Sequence, residues 1–234
     1  MKAVIAKNDL VSLIGKIQSI VSTKPSIPIL ANILLEAIDD QIVISGTDLT
    51  VSMRCYMDAK VIEEGSIALP ARRFFQLVRE ITSPQVKISA QTNEIAEITT
   101  GTSIFKVNGM NKAEFPTLPD FGGSPEASFE SAVLREVLSK TAFAAAREDS
   151  RYMLNGIQVQ IQEQKAVFIG TDGKRLAKAI SPIQIETAVR GSYVIPLKAV
   201  EEMIKILGEG SERAHLSLCS DKIALEFKIG RAHV

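Results

Sequence analysis

The sequence predicts an α+β protein built from tandem copies of one domain, each with helices on one face of antiparallel sheets. Three observations lead there. The run Gly46-Thr47-Asp48 recurs as Gly170-Thr171-Asp172, and Leu30, Ile33 and Val43 recur as Leu154, Ile157 and Val167, every pair 124 residues apart. Further on, Gly65-Ser66 and Leu69-Pro70 recur as Gly191-Ser192 and Ile195-Pro196 at a spacing of 126. Each copy also keeps one order of patterns: a helical-period stretch, several short β-rich runs, then a second helical stretch led by proline. The period far exceeds the roughly 20–50 residues of solenoid units, so each copy is expected to own a core.

In the first copy, residues 1–6 read as a strand. Asn8 or Asp9 is expected to cap a helix over 9–21, with Leu10, Leu13, Ile14 and Ile17 at helical spacing. Lys24-Pro25-Ser26-Ile27-Pro28 breaks that helix. Runs 33–38 and 42–45 read as strands joined by a turn at Asp39-Asp40. Residues 48–56 read as a third strand, with Leu49, Val51, Met53 and Cys55 on one face. After a short strand at 66–69, Pro70 starts a helix whose stripe is Phe74, Phe75, Leu77, Val78 and Ile81. Residues 86–90, 95–100 and 103–107 read as a meander.

The second copy repeats this order, with a strand at 128–130, a helix over 131–146 and strands at 156–161, 165–169 and 175–180. A strand at 192–195, a Pro196-led helix to about 207 and strands at 215–219 and 223–227 follow. The Pro- and Gly-rich stretch 116–125 marks the boundary, giving expected domains 1–120 and 125–228. Nothing after Phe227 matches 103–107, so the second copy is expected to be incomplete. The final Ile229-Gly230-Arg231-Ala232-His233-Val234 is what one frame of a common sequencing-library adapter encodes, and 229–234 is expected to be a non-native tail.

Composition narrows the function. No run of about 18 apolar residues exists, so no membrane helix is expected. Cys55 and Cys219 lie far apart and fit reduced thiols of the cytoplasm. Two thiols and two histidines do not cluster as zinc ligands, and no cofactor is expected. A formal net charge of zero argues against a generic basic nucleic-acid binder. Its distribution is uneven. The helical stretches and their turns carry Lys7, Lys16, Lys24, Arg72, Arg73, Arg79, Arg135, Lys140, Arg147, Lys198 and Lys205 against Asp9, Glu80, Glu136, Glu148, Glu201 and Glu202. Stretch 36–64 carries seven acids against Arg54 and Lys60.

No catalytic constellation stands out. His215 has no nearby nucleophile, Gly170 to Arg175 lacks phosphate-loop spacing, and Glu148-Asp149 fits a charged loop. A hydrolase or transferase using Asp48 and Asp172 as acid–base groups is the alternative from another class. Leu154, Leu176 and the backbone at Gly173 fit either a groove edge or a core-and-turn role. Lys24, Arg72, Arg147 and Arg151 fit phosphate contacts or solvated surface.

Several runs together resemble one family. They are Lys24 to Leu30, Ser45 to Leu49, Leu69 to Phe75, Glu114-Phe115-Pro116, Arg151 to Gly156 and Thr171 to Leu176. In this order they are similar to the bacterial replicative sliding clamps, the β subunit of DNA polymerase III, over 1–228. The resemblance implies three repeats of the DNA-clamp fold per chain, the third absent here. It implies a homodimeric ring, with sheets outside and helices around duplex DNA, that tethers the replicative polymerase without catalysis. The implied partners are non-specific double-stranded DNA, the polymerase III catalytic subunit, the clamp loader, and other polymerases and repair proteins with clamp-binding motifs. Lys24, Arg72, Glu148, Tyr152 and Met153 match DNA-contacting positions, Glu148 departing because a carboxylate repels phosphate. Leu154, Thr171, Gly173, Lys174, Arg175 and Leu176 match half of a partner-peptide groove, with Lys174 where histidine is more usual. Arg73, Phe105 and Val107 match the first-domain side of the ring interface.

Overall fold

The computed structural model describes the chain except residues 23–24, 92, 120–125, 148–149, 163, 186–190, 210–212, 220–221 and 228–234. Lys24, Glu148, Asp149 and the expected tail therefore lie outside the described residues. Internal contacts divide the chain into two units between Leu118 and Pro119.

In the first unit, β1 (Lys2–Ala6) runs straight into α1 (Lys7–Ile17). A one-turn 3-10 helix, Pro28–Ala31, leads to β2 (Asn32–Ile38), β3 (Gln41–Thr47) and β4 (Ser52–Asp58). Next come β5 (Lys60–Glu63), β6 (Gly65–Pro70), α2 (Ala71–Glu80), β7 (Gln85–Ala90), β8 (Ile95–Thr100) and β9 (Ser103–Asn108). They form two antiparallel sheets, ordered β5-β1-β7-β8-β9 and β4-β3-β2-β6. Leu10, Ile14 and Ile17 of α1 and Phe74 and Val78 of α2 share one core with Ile5 and Ile88 of the first sheet and Ile33 and Ile44 of the second. Each such side chain contributes about 1.5–3 kcal/mol through burial, so the helices join the two sheets.

The second unit repeats the plan. It comprises β10 (Glu126–Glu130), α3 (Ser131–Ala142), a 3-10 turn Tyr152–Leu154, β11 (Gly156–Gln162), β12 (Lys165–Thr171) and β13 (Leu176–Pro182). Then follow β14 (Gln184–Ile185), β15 (Gly191–Pro196), α4 (Leu197–Ile206), β16 (Arg213–Leu218) and β17 (Ile223–Phe227). Its sheets run β14-β10-β16-β17 and β13-β12-β11-β15. Phe129 on β10 and Phe168 on β12 meet edge to face at 6.1 Å and join them. Register repeats as well as order. Leu34 pairs with Ser45 and Gln158 with Ile169, and Gly46 pairs with Met53 and Gly170 with Ala177.

Four expectations are corrected. α1 starts at Lys7 on an uncapped Ala6, because the Lys7 N–H donates to the Pro84 carbonyl at 2.9 Å and needs no side-chain cap. It ends at Ile17, although Ile20 and Val21 remain buried beyond it. The third strand starts at Ser52, not 48, since Leu49 sits at φ +74° and points to solvent, 60% exposed. α3 ends at Ala142, where the Ala144 and Ala145 N–H groups turn back onto Thr141 and Ala142. The edge strands β5 and β14 were not expected. The Asp39-Asp40 turn forms with both residues at positive φ, as a tight two-residue hairpin requires.

The repeated glycine has a steric cause. A Cβ on Gly46 would lie 2.5 Å from Ile17 Cγ2, and one on Gly170 would overlap the Thr141 carbonyl oxygen. In both units the C-terminal end of the first helix rests there, on β3 in the first and β12 in the second. Gly46→Ala and Gly170→Ala should each cost about 1–3 kcal/mol in urea unfolding. Gly170→Ala should be the worse, because its neighbour is backbone and cannot rotate away. Equal stability of wild type and Gly170→Ala would contradict the packing.

Candidate functional site

The residues after each glycine close a turn by the same bonds. In the first unit, Asp48 Oδ1 accepts from the N–H groups of Thr50 at 3.0 Å and Val51 at 2.7 Å. Thr47 Oγ1 accepts from the Leu49 N–H at 3.0 Å and donates to the Val51 carbonyl at 3.2 Å. In the second, Asp172 Oδ1 accepts from Lys174 at 2.9 Å and Arg175 at 3.0 Å, while Thr171 Oγ1 accepts from Gly173 at 3.1 Å and donates to the Arg175 carbonyl at 2.6 Å. Leu49 and Gly173 hold the same left-handed position, at φ +74° and +86°. The Lys174 and Arg175 N–H groups, aided by the Arg175 guanidinium, hold the Asp172 carboxyl below its ordinary value; burial pulls the other way. An aspartate ionised at neutral pH and bound to its own turn is not a poised general acid. Both aspartates bond the amides of their own turns and are turn elements, which does not support the acid–base alternative.

Around this shared turn the units differ. Arg151, Gly173, Lys174, Arg175 and Leu176 stand where the first unit has Ile27, Leu49, Thr50, Val51 and Ser52. In the first unit Leu30 is buried, packed with Phe115, Met110 and Leu118 of the same unit. Its counterpart Leu154 is only half-buried, and Leu176 is 65% exposed. The Arg151 guanidinium lies 3.2 Å from where a Gly173 Cβ would stand, placing the 151–154 turn beside the 171–176 turn. The Ala146 N–H donates to the Leu154 carbonyl at 2.9 Å and fixes that turn on the end of α3. Thus Leu154, Thr171, Gly173, Lys174, Arg175 and Leu176 are assembled in one region of the second unit. Two neighbours escaped the sequence-based groove: Arg151, and Phe143, whose ring centroid lies 5.7 Å from Arg175 Cζ. The signal was available, since Phe143 falls 124 residues after Ser19 on an otherwise repeated plan.

The other expected residues lie apart from this region. Arg72 and Arg73 are exposed in the first turn of α2, which has no acid there. Neither is ion-paired among the described residues, and cations at a helix N-terminus oppose the helix dipole. Tyr152 and Met153 are 86% and 74% exposed in their turn. Phe105 and Val107 lie on the edge strand β9. Val107 leans on the core, while Phe105 borders a groove of about 250 Å³ with Leu77, Ile81 and Thr100. Of the other helix bases, Arg79, Lys140, Arg147 and Lys205 are ion-paired with Glu80, Glu136, Glu201 and Glu202. Among the described residues no group of three or more His, Cys, Asp or Glu could hold a metal ion, and no helix is long and apolar enough to cross a membrane.

Residues 1–119 match the N-terminal domain of the DNA polymerase III beta subunit, and 128–233 match its central domain. The chain belongs to the DNA polymerase III beta subunit family. Among relatives of this family, the beta sliding clamp of Chlamydia pneumoniae is 45% identical over 226 residues, 97% of this chain and 62% of the relative. That of Escherichia coli K12 is 28% identical over all of this chain and 62% of its own. The chain thus spans about three fifths of these beta-subunit relatives. A crystal structure of the Bacillus subtilis DNA polymerase sliding clamp superposes with a TM-score of 0.92 at 25% identity, covering 100% of this chain and 66% of that one. The Caulobacter crescentus clamp does so at 0.89 and 31%, covering 98% and 63%. Both described units are clamp domains.

The depressed Asp172 value has a readable consequence. The stability it contributes is complete above the ordinary carboxylate value and disappears as pH falls through the lower folded value. Carbon-13 titration of the Asp172 carboxyl should give a midpoint below that of the same residue in a short peptide. A midpoint equal or higher would contradict the turn geometry.

Proposed function

We propose that these two domains belong to a DNA sliding clamp, a non-enzymatic cytoplasmic protein that encircles duplex DNA and tethers the replicative polymerase. Membership of both domains in the beta-subunit family supports this reading. The observation that carries it is that the 151–154 and 171–176 turns lie side by side, with the exposed Leu176 next to Lys174 and Arg175. Apolar side chains beside cations suit a short peptide from a partner protein. In this reading Leu154, Thr171, Gly173, Lys174, Arg175 and Leu176 take peptides of the polymerase III catalytic subunit, the clamp loader, and other polymerases and repair proteins. Arg73, Phe105 and Val107 meet a second subunit in a homodimeric ring, with β9 as the pairing edge.

In this reading Arg72, Tyr152 and Met153 contact DNA, as does Lys24 by its match to the family, while Glu148 departs from that role because a carboxylate repels phosphate. Contacts of this kind read phosphate rather than sequence, so they allow sliding. Enclosure supplies retention, and a tethered polymerase then works at high effective concentration.

Two measurements test the reading. Leu154→Ala should weaken binding of a polymerase-derived peptide about 5- to 30-fold by calorimetry, the loss expected for one apolar side chain of about 1–2 kcal/mol. An unchanged dissociation constant would remove Leu154 from the site. Arg72→Ala should lower the slope of log affinity for duplex DNA against log salt by about 1. The same change should leave urea stability unaltered or raised by about 0.3–1 kcal/mol, because it removes a cation from a helix N-terminus. A fall in stability with no change in salt slope would make Arg72 structural.

A further inference from the structure

Comparing the two copies separates what the fold needs from what it does not. The Thr47-Asp48 turn closes with Val51 at the position of Arg175 and Ser19 at that of Phe143. The fold therefore requires neither the arginine nor the aromatic ring. Both appear together in the second unit, Arg175 directly before Leu176. Phe143 follows the last turn of α3 and leaves 62% of its surface in solvent, so burial does not account for it.

Arg175 is held from two sides. Its guanidinium carbon lies 5.7 Å from the Phe143 ring centroid, within cation–π range. Its Nε donates to Asp172 Oδ2 at 3.0 Å, the carboxylate whose other oxygen is already bonded to the turn. One edge of the guanidinium is thus used, and the Phe143 ring lies on another side of it. The Nη donors have no hydrogen bond among the described residues. Lys174 and Arg175 stand next to Leu176, and the Asp172 carboxylate beside them is already engaged with the turn.

We propose that Phe143 is a positioning residue of this site: its ring holds the Arg175 guanidinium so that the Nη donors take a carboxylate of an acidic peptide whose apolar side chains sit on Leu154 and Leu176. The inference rests on the partner-peptide reading above and specifies its electrostatics. The ring itself need not touch the ligand. An ion-paired arginine in cation–π contact loses less freedom on binding than one free in solvent.

The test uses two labelled forms of the polymerase-derived peptide, one with aspartate and one with asparagine beside its apolar residues. Phe143→Leu should weaken the aspartate peptide about 2- to 5-fold and leave the asparagine peptide within error. Phe143→Tyr, which keeps the ring, should restore wild-type affinity. In an Arg175→Met background, Phe143→Leu should have no further effect. Without peptide, the Arg175 Hε resonance should carry a ring-current shift that Phe143→Leu abolishes. Equal loss for both peptides, failure of tyrosine to rescue, or the same loss in the Arg175→Met background would overturn the positioning role. If neither Leu154→Ala nor Leu176→Ala affects either peptide, or wild type binds neither, the partner-peptide reading falls and this inference with it.

Discussion

The fold of each unit depends on how closely the end of its first helix can approach one strand, β3 in the first and β12 in the second. At Gly46 and Gly170 there is no room for a side chain, because Ile17 in one unit and the Thr141 carbonyl in the other already fill it. That contact fixes where the strand ends, and the next two residues must turn the chain at once. Threonine and aspartate do so with short side chains that bond the turn's own amides. Three adjacent residues thus answer three constraints: steric clearance, a hydroxyl clasp and an amide acceptor. The same triplet recurs 124 residues later because both units face the same constraints.

A turn that closes through its backbone leaves neighbouring side chains free to diverge. The first unit keeps Leu49 in the left-handed region, at a cost of about 1–2 kcal/mol that glycine avoids. The second puts glycine there, and the Arg151 guanidinium occupies the space above it. Relief of strain and room for a cation come from one substitution. The other difference is coverage. In the first unit, Met110 bridges to Ala68 and Phe115 buries Leu30, so the region is closed by its own chain. The counterpart of Leu30 in the second unit, Leu154, is half-buried.

The sequence carried most of this because the decisive signals were local or periodic. The repeat, the hairpin at Asp39-Asp40 and the stripe Phe74, Val78, Ile81 each follow from nearby residues, and the turn 171–176 brings most of the candidate site together by itself. What escaped depends on distant partners. The start of α1 is satisfied by the Pro84 carbonyl, far along the chain. Strand β5 is Lys60-Val61-Ile62-Glu63, too short and too exposed to alternate, and it pairs with β1 rather than its neighbour β4. Leu49 reads as the first inward residue of a strand, but the Asp48 turn forces it outward. Phe143 looks like a helix residue until its ring is seen beside Arg175, which no local pattern links to it.

Charge gives the clamp reading its physical shape. The helices look basic in sequence, yet Arg79, Lys140, Arg147 and Lys205 each have a glutamate partner, which lowers the field that DNA would feel. Arg72 and Arg73 remain outside such pairs and sit where a helix disfavours cations. With zero formal net charge, the chain exerts no general attraction on phosphate, and local contacts must supply it. Each would be weakened by salt and none would read bases, so contact alone would release DNA readily at cellular ionic strength. A protein built this way holds DNA only if something other than affinity prevents escape. In the proposed clamp, enclosure would do that, and weak, uniform contact would then be an advantage, because a ring that bound tightly would not slide.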